Sequence, residues 1–368
     1  LHAQIVSSPV ACGALKSIDV EAARGVHGVV TVLTADDIPG ANDASPVFHD
    51  EPFLASGALY SYGQSICIVV GESIEACRIG ASKVVLDIEP SEPVLSVQDA
   101  IEKNSFQGET ARITRGDVTE ALKSSPLKIK GELETGGQDH FYLESQIAQV
   151  TLLEDGCYQV ESSTQHPSEV QTKISELLEI GRHRIVVRCP RMGGGFGGKE
   201  SQAVYVGQAA ALAAWATGRP VRVRMNRDQD MITTGKRHPW FSTYEAGFSK
   251  EGDLLALKVK TYADGGWSLD LSPAILQRCL FHLDNSYFVP NADFEGRIAK
   301  TNKTSNTAFR GFGGPQGMAV VEAVMNHAAQ VLQLDPALVR SRNFYGAAPR
   351  HETPYGQEVI PSDNRLQR

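Results

Sequence analysis

The chain has 368 residues, 42% of them apolar and 21% charged, enough hydrophobic material for two or three domains of ordinary size. Its net charge of −8 excludes the basic stripe that a nucleic-acid-binding surface needs. No run approaches the ~18 consecutive apolar residues of a membrane span and no secretory leader opens the chain, so no membrane partner and a cytoplasmic location are expected.

In chain order, "AQIVSS", "LKSIDV", "VVTVLTA" and "SICIVV" are rich in β-branched residues and predict strands. "SIEACRIGASKVV" places Ile74, Cys77 and Ala81 at helical spacing, and "LDIEP" follows as another strand. Residues 1–98 therefore form a small α+β domain. The polar run "VQDAIEKNSFQGETARITRGD" predicts a linker, assigned to 99–130, and 131–368 a second, mixed α/β domain. There "CYQVESSTQ" is a strand, and "HPSEVQTKISELLEIG" a helix with Pro167 at its start and Gly181 after its end. The strand "HRIVVRC", a glycine loop and the Ala-rich helix "ESQAVYVGQAAALAAWATG" follow. "PVRVRM" and "LLALKVKTYADGG" are further strands.

The glycine loop, "GGGFGGKE" at 193–200, is one residue away from the phosphate-binding pattern G-x-x-x-x-G-K-[ST]. Glu200 occupies the position of the hydroxyl that would hold a nucleotide's magnesium, and a carboxylate there repels phosphate. The tetrapeptide "GFGG" returns at 311–314, again before an apolar helix, "MAVVEAVMNHAAQVLQ". Glycines let backbone approach a ligand closely, and a helix N-terminus adds partial positive charge. Two such loops point to one extended polar ligand gripped from two sides. The alternative is a nucleotide-binding P-loop module, which the strand–loop–helix order allows.

Cys12, Cys67, Cys77, Cys157, Cys189 and Cys279 are scattered without C-x-x-C spacing, as reduced thiols are, and do not suit an iron–sulfur cluster within this chain. The ten histidines, among them His140, His166 and His282, form no metal-ligating array and read as structural. Taken singly, Glu200 reads as a carboxylate at a helix start, Arg278 as a surface residue or partner of Asp284, Phe312 as core filler and Gln165 as a helix cap. The acidic pair Asp36–Asp37 reads as a solvated turn.

"GGQDHFYLESQ", "RMGGGFGGKES", "LQRCLFHLDNSY" and "KTNKTSNTAFRGFGGPQGM", in that order, resemble the xanthine dehydrogenase / xanthine oxidase family of molybdenum hydroxylases. The resemblance covers essentially the whole chain. It implies an a/b hammerhead domain followed by the first half of a molybdenum-cofactor-binding domain. It implies that Gln165, Gly195, Phe196, Gly197 and Arg310 face the molybdopterin, with no residue ligating the metal directly. Glu200 and Arg278 then orient a purine, with Phe312 and Ala308 against its ring. The implied reaction converts hypoxanthine and xanthine to urate with water as oxygen source. FAD and 2Fe-2S centres are expected in partner chains or domains, and a dimer in the full complex. A related hydroxylase for an aldehyde or another N-heterocycle is the alternative within the family. The family's G-E-P-P segment, with its general base, and its G-x-x-M-G-Q-G loop have no match here. The chain is therefore expected to be a piece of a longer polypeptide, inactive or a scaffold when isolated.

Overall fold

The protein, as a computed structural model, is described at residues 1–360, 362 and 364–366. The first part of the chain supplies β1 (His2–Ser7), β2 (Gly13–Asp19), α1 (Glu21–Arg24), β3 (Val29–Leu33), β4 (Ala58–Leu59), β5 (Ser65–Gly71), α2 (Ile74–Ala81) and β6 (Val85–Pro90). β5, the uninterrupted apolar run, is buried at every position, as a central strand covered on both faces must be. Ser73 caps α2 by accepting from the Ala76 N–H at 3.1 Å. The pair Asp36–Asp37 lies in one 3₁₀ turn closed by a capping box between Thr34 and Asp37.

The segment expected to be a linker is regular structure. It holds α3 (Val97–Glu102), β7 (Phe106–Arg115), α4 (Val118–Ser124) and the start of β8 (Leu127–Thr135). Ser96 caps α3 and Asp117 caps α4, accepting from the N–H groups of Asp99 and Glu120 at 2.9 and 3.0 Å. Those two capping signals stand in the sequence. The strand signal does not, because β7 is an edge strand whose polar side faces water and whose pairing slips in register near Gly296.

Beyond it come β9 (Ile147–Leu152), β10 (Tyr158–Ser162), α5 (Pro167–Leu178), β11 (Ile185–Arg188), α6 (Ala203–Thr217), β12 (Val221–Arg224) and α7 (Arg227–Thr233). Then follow β13 (Trp240–Phe248), β14 (Leu254–Gly266), α8 (Ser272–Phe281), β15 (Ala292–Lys300), α9 (Gly314–Leu332) and α10 (Pro336–Asn343).

The described residues form three sheets. The largest has seven strands in the order β11-β10-β9-β12-β1-β5-β3. β1 pairs parallel with β12 and antiparallel with β5, so the first and second parts of the chain share one sheet. α6 covers this sheet and is buried without interruption from Val206 to Ala214, while Tyr205 just before that run is partly buried. Its small side chains let α5 approach, and a Cβ on Gly207 would stand 3.0 Å from Val170.

The second sheet has the order β7-β15-β14-β13-β8, antiparallel except for the β14–β15 pair. α8 and α9 pack on it through Leu276, Leu280, Val321, Val324 and Met325. A third, small sheet joins β4, β2 and β6. Among the described residues no helix is long and apolar enough to cross a membrane.

Candidate active site

The two glycine loops come from different sheets. The first, 193–198, follows β11 of the seven-stranded sheet, and the second, 311–314, joins β15 of the five-stranded sheet to α9. They meet at the seam. The Arg310 N–H donates to the Phe196 carbonyl at 2.9 Å, and a Cβ on Gly197 (φ +99°) would stand 2.7 Å from the Ala308 carbonyl oxygen. Only glycine permits both that approach and that conformation.

Gln165 sets the shape of the first loop. Its Oε1 accepts from the N–H groups of Gly197 at 2.9 Å and Lys199 at 3.3 Å. It does not cap α5, whose N-cap is His166 with no side-chain bond. A Cβ on Gly195 would lie 2.4 Å from the same Oε1, so this glycine makes room for the amide. His140 supports the pair of loops from behind: it is buried, its Nε2 lies 2.7 Å from the Ala308 carbonyl oxygen, and its ring stacks on Phe309 at 4.7 Å. Ala308 itself is buried.

Lys199 distinguishes this loop from a phosphate cradle. Its ammonium is fully buried, donating to the Glu144 carbonyl at 2.7 Å and Ser163 Oγ at 2.8 Å, with the Tyr142 ring 4.6 Å away. Burial lowers its pKa from the usual lysine value. A P-loop lysine must reach outward to phosphate, and this one is spent holding the loop to its support.

Glu200 lies between the loop and α6, three residues before the helix begins. Its carboxyl has no hydrogen bond or ion pair among the described residues, and burial holds it above the usual carboxylate range. Arg278, on α8, is exposed, and its guanidinium likewise has no partner among the described residues. It does not pair with Asp284, which is buried and accepts from the Tyr345 hydroxyl at 2.5 Å. Phe312 (φ +50°) is partly buried against the core formed by Ile275, Leu276 and Cys279. The second loop touches the Arg278 helix directly, since a Cβ on Gly313 would meet the Ile275 carbonyl oxygen at 2.1 Å.

Gln165, Phe196 and Arg310 stand exposed at the rim. Phe196 is 49% exposed despite its size. The N–H groups of Gly195, Phe196 and Gly311 have no backbone acceptor among the described residues. The ledge suits a flat, polar cofactor such as a pterin, for which the glycines would leave room and the open N–H groups would offer donors.

Nothing local in the sequence marks His140 or Lys199 as supports of the site, because their hydrogen-bond partners stand 168, 55 and 36 residues away.

A family model described as a molybdopterin cofactor-binding domain matches residues 97–344, and one described as the aldehyde oxidase and xanthine dehydrogenase a/b hammerhead domain matches 1–92. The chain is 42% identical to mouse (Mus musculus) xanthine dehydrogenase/oxidase over 346 residues, covering 94% of this chain and 26% of the relative. It is 38% identical to nicotinate hydroxylase hnxS of Emericella nidulans over 370 residues, covering 99% of this chain and 27% of the relative. Among solved structures, the aldehyde oxidoreductase from Desulfovibrio gigas superposes with a TM-score of 0.90 at 29% identity, covering 97% of this chain and 41% of that one. The chain spans about a quarter of the length of the curated relatives it matches. The paired glycine loops, their Gln165 support and these similarities agree: the chain belongs to the xanthine dehydrogenase and aldehyde oxidase family of molybdenum hydroxylases and comprises its hammerhead and a molybdopterin cofactor-binding domain.

Proposed function

We propose that this chain forms the purine-facing wall of a xanthine dehydrogenase active site. The observation that carries the proposal is the pair Glu200 and Arg278, two side chains with no hydrogen bond or ion pair among the described residues, Glu200 two residues past the first glycine loop and Arg278 on α8, which the second loop touches. The half-buried Glu200 carboxyl is left open for a ligand to hydrogen-bond.

Gln165, Gly195, Phe196, Gly197 and Arg310 would hold the molybdopterin. When bound, that group supplies the oxygen-transfer and electron-accepting chemistry. The protein's part is orientation and charge. Glu200, its pKa raised by burial, hydrogen-bonds one edge of a flat heterocycle. Arg278 stabilises negative charge that builds on the ring, and Phe312 packs against the ring face with Ala308 beneath. FAD and 2Fe-2S components of the parent protein receive the electrons, in a dimeric complex in the cytoplasm.

Hydroxylation of another N-heterocycle or of an aldehyde is the second reading, supported by similarity to a nicotinate hydroxylase and an aldehyde oxidoreductase. Steady-state kinetics of the full-length parent enzyme on xanthine, nicotinate and a small aldehyde separate the two. Xanthine is expected to be the preferred substrate, and Glu200→Ala or Arg278→Leu to lower its kcat/KM by about 100-fold or more. Unchanged xanthine turnover in both variants overturns the assignment.

A further inference from the structure

Asp270 stands in the short connection between β14 and α8, fully buried, with φ at +42°. Four donors converge on its carboxylate. Oδ2 accepts from Ser201 Oγ at 2.6 Å and Gln202 Nε2 at 3.0 Å, and Oδ1 accepts from Thr307 Oγ1 and the Leu271 N–H, both at 2.6 Å. Between them the donors come from three walls of the site. Ser201 and Gln202 follow Glu200, Thr307 precedes Ala308 and the second glycine loop, and Leu271 leads into the helix that carries Arg278.

The connection is also held from the hammerhead side. Asp50 accepts from the Leu269 N–H at 2.8 Å, and Glu51 accepts from the hydroxyls of Ser268 and Tyr205. Tyr205 lies on α6, the helix downstream of Glu200. Asp270 is thus fixed in place and in turn fixes the others.

The geometry points to Asp270 as a positioning residue that sets the placement of Glu200 relative to Arg278, and through it the selectivity for a ring with polar groups at opposite edges. This rests on the reading that those two side chains face the substrate. Left-handed backbone at a non-glycine residue is strained and persists only where surrounding structure enforces it. Here four hydrogen bonds to one carboxylate enforce it, and the three from Ser201, Gln202 and Thr307 join the walls.

The test uses the full-length parent enzyme with its cofactors. Ser201→Ala and Thr307→Val each remove one tether, and Thr307→Ser keeps the hydroxyl. Misplacement of about 1 Å can cost as much as 100-fold, so about tenfold or more is expected in KM for xanthine in the first two. Turnover of a small aldehyde, which offers no ring edges to grip, holds, and Thr307→Ser restores the xanthine KM. Equal losses on both substrates, or no loss on xanthine, overturn the inference. A crystal structure of the Ser201→Ala/Thr307→Val enzyme gives a substrate-independent answer: the Glu200 carboxyl is expected displaced relative to Arg278. If the unmodified parent does not accept xanthine, the substrate assignment fails by itself, and unmoved Glu200 and Arg278 in that crystal structure overturn the positioning role separately.

Discussion

The two GFGG loops share a tetrapeptide and a backbone habit but are put to different uses. In each, the phenylalanine and the next glycine are left-handed: Phe196 and Gly197 at +55° and +99°, Phe312 and Gly313 at +50° and +91°. The residues after the turn set them apart. In the second loop Pro315 sits at the start of α9, which begins at once with Gly313 as its cap. In the first loop the equivalent place belongs to Lys199, whose buried ammonium pulls the chain down, and the helix waits until Ala203. That delay leaves Glu200 outside the helix. The repeat therefore encodes a turn, and its neighbours decide whether the turn starts a helix or presents a side chain.

The largest effect should come from adding a methyl group to either turn. Gly313→Ala would place Cβ at 2.1 Å from a carbonyl oxygen of α8, and Gly197→Ala at 2.7 Å from that of Ala308, each at positive φ. Both should destabilise by about 3 kcal/mol or more, Gly313→Ala the more, as read from denaturant midpoints. Gly197→Ala should in addition lower the molybdenum content of the parent enzyme.

Next is the anchor present in the first loop alone. Lys199→Met leaves the Glu144 carbonyl and Ser163 without their donor and should cost about 3 kcal/mol by chemical denaturation. A stability equal to the unmodified protein would return Lys199 to the role of a ligand-binding residue.

The carboxyl pair behind both loops makes their junction sensitive to pH. Burial and the nearby Asp270 push Glu51 well above the usual carboxylate range, and burial pushes Asp270 above it as well. The folded chain therefore holds protons that the unfolded chain releases above the ordinary carboxylate range. Stability contributed by these protons is present at low pH and declines as pH rises above the ordinary carboxylate range. Glu51→Gln should flatten that decline in a series of melting temperatures.

The smallest effect separates the two aromatic rings. Phe196 is half exposed, so Phe196→Gly loses little packing and relieves left-handed strain, for a net change within about 1 kcal/mol. Phe312→Gly also loses contact with the α8 core and should be clearly destabilising in the same assay.

Much of the fold could be read from local pattern. The buried run of β5, the Pro-to-Gly bounds of α5 and the long β14 correspond to elements at those places. The stretch around β7 could not, because an edge strand with a slipped register shows no clean alternation. The glycine turns were legible as a repeated string, but their supports were not. Gln165 looks like a helix cap in sequence and finds its partners 32 and 34 residues away, and Asp270 collects donors from 69 residues before it and 37 after it.

The pairing of β1 with β12 has a consequence for synthesis. His2 and Ala3 wait for Arg222 and Val223, so the hammerhead strands emerge from the ribosome with one edge of β1 unpaired until β12 has been made. An unpaired edge is a template for pairing with another chain. Nascent chains stalled before residue 221 should therefore be the ones that need a chaperone, and those released beyond β12 should not.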